Sequence, residues 1–174
     1  YTTLSDLAYQ TSGYTGAISF SSNKKLAGIS GSLGKIFPTL SSTSQPRFYR
    51  TFYGCTNLKG SIPENLFAGV SGAPIKSMFE NAFGNCKGLT GNIPENLFAG
   101  ISGAPTENLF EETFYNCSGL TGGIPENLFA GIKGAPAENM FFYTFGGCAG
   151  LTGDIPVNLF AGISGAPISG MFNY

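Results

Sequence analysis

One block of sequence, CKGLTGNIPENLFAGISGAPTENLFEETFYN over 86–116, recurs on both sides of itself with almost no drift. Cysteines stand at 55, 86, 117 and 148, a constant spacing of 31 with no insertion between them. A fixed period within about 20–50 residues marks a supersecondary unit that cannot bury its apolar side alone and must stack on copies of itself. Whatever else the chain does, it has to be a stack.

The start of the chain is a degenerate copy. SDLAYQTSGYTGAI at 5–18 lines up with EETFYNCSGLTGGI at 111–124, and KLAGISGS at 25–32 with LFAGISGA at 97–104. The first unit is therefore enlarged, with its extra residues in FSSNKK and near Ser41–Gln45. Terminal repeats are often atypical because they meet something other than a copy of themselves. The 174 residues divide into an enlarged unit at 1–57, full units at 58–88, 89–119 and 120–150, and a partial unit at 151–174. Both ends fall inside a unit, so the expectation is a slice of a longer protein.

Spacing within a unit predicts an α/β solenoid of about five repeats, each a short parallel strand followed by two short helices. In LTGNIP, Leu89, Gly91 and Ile93 share one face, and Pro94 closes the strand. The segments 14–18, 58–62, 89–93, 120–124 and 151–155 are then expected to pair into one parallel sheet. PENLFAG at 94–100 reads as a helix opened by Pro94 and ended by Gly100. Pro105 opens a second helix, on which Phe110, Phe114 and Cys117 fall at i, i+4 and i+7. Helices this short are marginal alone, so Phe stacking between units must supply their stability.

Composition excludes several function classes. Charged residues make up 11% of the chain and the net charge is −1, which leaves no basic footprint for nucleic acid or an anionic membrane. No apolar run is long enough to insert in a membrane. There is no histidine, so neither a Cys nor a Ser nucleophile has its usual base. No CxxC pair is present, and a stack repeats one thiol per layer rather than converging four on a point. Cys55, Cys86, Cys117 and Cys148 are expected to be reduced and buried in a row. Glu64, Glu95 and Glu126, like Glu80, Glu107, Glu111, Glu112 and Glu138, read as solvated helix faces, and Asn65, Asn96, Asn127 and Asn158 as amides bonding the backbone where coils turn. The close glycines match no phosphate-binding loop. The expectation is no enzyme, no cofactor and no metal.

Differences between copies point to candidate binding residues. The outward strand sites give Thr90, Asn92, Thr121, Gly123, Thr152 and Asp154, a small and mostly polar surface. Glu111-Glu112 become Phe142-Tyr143 one period later, and aromatic residues where a sister copy is charged suggest a contact patch.

LKGSIP, LTGNIP, LTGGIP and LTGDIP resemble the LxGxIP segment of plant-type leucine-rich repeats, and AFGNCKGLTGNIP and TFYNCSGLTGGIP resemble the core of BspA-like bacterial surface proteins. The unit departs from that family in its added ENLFAGISGAP segment. The resemblance implies a solenoid, secreted or held at the cell surface, that binds proteins or other cells; the expectation is a binding module for protein or glycan partners on another cell or matrix, or for copies of itself. The alternative is an architectural spacer or fibre-forming stalk without a specific ligand.

Overall fold

The computed structural model describes residues 18–31, 33 and 48–172. Residues 14–17 of the expected strand 14–18, the start of the degenerate unit and the Ser41–Gln45 loop lie outside the described residues.

The predicted α/β solenoid does not form. Among the described residues almost no helix and no sheet is present, and most of them are in turn and coil. The LxGxI segments meet only through isolated parallel bridges, Gly60 to Leu89, Gly91 to Leu120 and Gly122 to Leu151. The reason is the central glycine. Gly60, Gly91, Gly122 and Gly153 have φ of 85°, 76°, 76° and 85°, and a left-handed residue in mid-segment ends an extended run. The repeat itself is real in space: one period of sequence is one layer, and layers lie on each other in register.

Both predicted helices are series of turns. In 94–101, Leu97, Ala99 and Ile101 donate to the carbonyls three residues back, at 3.2, 3.1 and 2.9 Å. In the longer segment, Glu111, Thr113, Tyr115 and Cys117 do the same to Asn108, Phe110, Glu112 and Phe114. The residues between them donate out of the layer: Asn108 to Glu138, Phe110 to Met140, Glu112 to Phe142, Phe114 to Thr144 and Asn116 to Gly146. An α-helix needs every N–H for the carbonyl four residues back. Here alternate N–H groups belong to the next layer, so the helix cannot propagate. The backbone manages this by entering the left-handed region at every fourth residue: Asn108, Glu112 and Asn116 have φ of 57°, 51° and 57°, and Ser77, Asn81 and Asn85 repeat the pattern one layer earlier. Asn tolerates that region better than most residues.

The core is three columns of phenylalanine. Phe48, Phe79, Phe110, Phe141 and Phe172 stack at 5.4, 5.6, 5.8 and 5.9 Å between successive centroids. Phe20, Phe52, Phe83, Phe114 and Phe145 form a second column at 5.4–5.7 Å. Phe67, Phe98, Phe129 and Phe160 form a third, tilted against the other two. Offset and tilted rings at these separations each add about 0.5–1.5 kcal/mol beyond the burial of their area.

Polar residues inside the stack tie layers together. Cys86, Cys117 and Cys148 are buried free thiols, and each Sγ donates to a phenylalanine carbonyl of the layer before, Phe52, Phe83 and Phe114, at 2.9, 3.0 and 3.0 Å. Cys55 does the same to Phe20 at 3.2 Å. The Thr113 and Thr144 hydroxyls reach back to the carbonyls of Phe79 and Phe110, both at 2.9 Å. The thiol row expected from the sequence is present, with a bonding role beyond filling space.

Candidate functional site

Thr90, Thr121 and Thr152 stand one above another because each backbone N–H donates to the glycine of the preceding layer, Gly60, Gly91 and Gly122, at 2.9 Å. All three side chains are exposed, and Asn92, Gly123 and Asp154 form an exposed row beside them. Asn92 fits its place because the next layer leaves room for it. A Cβ on Gly122 would lie 2.5 Å from the Asn92 Oδ1, and Gly122 carries none.

Beside this row runs a groove of about 760 Å³, lined by Ser61, Glu64, Asn92, Glu95, Gly123 and Glu126 among others. Two of its carboxylates accept an amide from the following layer. The Asn127 amide donates to Glu95 Oε1 at 2.9 Å, and Asn158 donates likewise to Glu126. Asn127 and Asn158 therefore bond side chains across layers rather than the backbone of a turn, while Glu64, Glu95 and Glu126 are exposed as expected. The signal lay in their constant register, Glu at 64, 95 and 126 followed each time by Asn.

Phe142 and Tyr143 lie on the long turn segments, away from the LxGxI segments that carry the threonine row. Both are half-buried. Their rings meet edge to face at 4.6 Å, and Tyr143 also meets Tyr115 edge to face at 5.8 Å. Three layers earlier the equivalent positions hold Tyr49 and Arg50, with the Arg50 guanidinium 4.0 Å above the Tyr53 ring. The eight candidate residues thus fall into two separate groups.

The thiols offer no nucleophile. Burial pushes Cys86 up to about 12 and Cys148 up to about 11, and raises Cys55 and Cys117 as well. Among the described residues no group of three His, Cys, Asp or Glu side chains is arranged to hold a metal, and no helix is long and apolar enough to cross a membrane.

No protein-family model, no curated protein and no solved structure matches the chain.

Proposed function

We propose that the chain is a binding module, secreted or displayed at a cell surface, that holds protein or glycan partners along the row of Thr90, Asn92, Thr121, Gly123, Thr152 and Asp154. The observation that carries this reading is the register: exposed threonine hydroxyls repeat at one-layer spacing beside a groove in which Glu95 and Glu126 accept amide N–H groups from Asn127 and Asn158. A fixed row of small polar groups gives many weak contacts that add when the ligand also repeats, as a polysaccharide or an extended peptide does. The resemblance of LTGNIP and its copies to leucine-rich-repeat segments supports display outside the cell. No enzymatic role is proposed.

The test is capture of immobilised polysaccharides and of intact cells by the wild type and by a triple variant, Asn92→Ala with Thr121→Lys and Asp154→Ala. All three side chains are exposed, so the melting temperature should hold within about 2 °C, since exposed substitutions usually stay within ~0.5 kcal/mol. Loss of capture in a folded triple variant supports the row as the contact surface, and unchanged capture refutes it. A spacer role is the second reading, favoured by the phenylalanine columns, which run through the described layers without a break. That reading gains if the wild type captures nothing.

A further inference from the structure

Glu111 occupies a place where ionisation brings it no partner. Its column on the long turn segments reads Tyr49, Glu80, Glu111 and Phe142, so a carboxyl lies one layer before it and an apolar ring one layer after. Its backbone is held on both sides: the carbonyl accepts from Asn81 N–H at 2.7 Å, and its own N–H donates to Asn108 at 3.2 Å. The side chain is half-buried: its Oε2 is shielded from solvent and has no hydrogen-bond partner.

The charged groups around it have the wrong sign. Glu80 faces it from the layer before, and Glu107 and Glu112 from its own layer. The layer after contributes Phe142 and Tyr143, and Glu112 is tied to that layer through its N–H to the Phe142 carbonyl at 2.8 Å. The one ion pair among the described residues, Lys76 to Glu107 at 2.7 Å, commits its cation to another carboxylate. Glu80 is engaged at its Oε2 by the Asn108 amide at 3.4 Å. Burial first, then Glu80, Glu112 and Glu107, push the Glu111 carboxyl up to about 7.

We propose that Glu111 is a proton-dependent latch of the stack: neutral, it lets its layer close between Glu80 and Phe142, and ionised, it repels Glu80 and Glu112 and loosens that layer. The sign follows from linkage. A carboxyl whose folded pKa lies above its unfolded value near 4.3 binds its proton more tightly when folded. Its stabilisation is complete below that unfolded value and is lost as pH rises through about 7. The chain has no histidine, the side chain that ordinarily titrates in this window, so the effect is not masked by one.

The experiment is thermal unfolding between about pH 5.5 and pH 8.5 for the wild type, Glu111→Gln and Glu80→Gln. Glu111 is partly solvated, so the wild-type melting temperature is expected to fall by about 2–4 °C over that range. Glu111→Gln should lose most of the fall, and Glu80→Gln should keep a fall whose midpoint moves to lower pH. A fall of equal size in Glu111→Gln overturns the latch. Should that variant not fold, the carboxyl-carbon titration of Glu111 in the wild type by NMR decides: a midpoint near 7 supports the proposal, and one below about 5 overturns it.

Discussion

Replacing Phe110 by Ala tests whether the phenylalanine columns, rather than local turn preferences, hold the layers together. Phe110 is fully buried and its ring has four ring neighbours: Phe79 and Phe141 along its column at 5.6 and 5.8 Å, Phe98 and Phe129 across at 5.0 and 4.5 Å. Burial of a Phe side chain contributes about 1.5–3 kcal/mol. The lost ring pairs and the cavity left among rigid neighbours bring the expected cost of Phe110→Ala to about 3–5 kcal/mol. Phe172 is the internal control, since it belongs to the same column but is 52% exposed and meets only Phe141 and Phe160 among the rings, at 5.9 and 4.8 Å. Phe172→Ala should cost about 1–2 kcal/mol, roughly half of the burial and pair terms. Urea denaturation at equilibrium, read by tyrosine fluorescence and circular dichroism, gives both values. Equal costs for the two variants, or a cost below about 1.5 kcal/mol for Phe110→Ala, would refute stacking as the main source of stability.

Two further outcomes follow from the layer contacts. Gly100 has ordinary φ, yet a Cβ there would sit 2.0 Å from the Val70 carbonyl oxygen of the layer before, so Gly100→Ala should destabilise by about 1–3 kcal/mol, whereas Ala at Gly28, which has nothing within 4 Å, should cost far less in the same denaturation assay. The four thiols, raised by burial and bonded to carbonyls, should react with an aromatic disulfide reagent near pH 8 only as the chain opens, and denaturant should release all four at once; fast labelling of the native protein, or a mass showing disulfides, counts against the buried row.

The period and the identity of the core were legible because a stack puts the same residue type on top of itself. Phe79, Phe110 and Phe141, or Cys86, Cys117 and Cys148, occupy one column each, and the spacing of the letters is the spacing of the layers. The path of the backbone inside one layer was not legible from hydrophobic spacing. Phe110, Phe114 and Cys117 at i, i+4 and i+7 satisfy a helix, but a chain of turns that resets every fourth residue returns side chains to the core with nearly the same spacing. The letters that separate the two are the asparagines. Asn81, Asn85, Asn108, Asn116 and Asn139 all stand at left-handed positions, where a helix interior has no use for them. Gly91 and Gly122 speak the same way against a strand.

The surface was legible in its composition but not in its organisation, for a related reason. Thr90, Thr121 and Thr152 could be assigned to an outward row from alternation alone, and they are exposed. Glu95 and Glu111 looked alike in the sequence, each an acid on a short predicted helix. In the structure one meets an amide of the next layer and the other is half-buried among carboxyls. For Glu95 the difference comes from the layer after, where the Asn127 amide reaches its carboxylate; for Glu111 it comes from burial, from Glu80 one layer before and from Glu112 and Glu107 of its own layer. In a stack, a side chain's chemistry is set by the adjacent layers as well as by its neighbours along the chain. The informative comparison is therefore down each column, and substitutions that break a column, such as Glu111 to Phe142 or Glu126 to Val157, are where the surface changes character: Val157 is 92% exposed at a position that is acidic in three earlier layers.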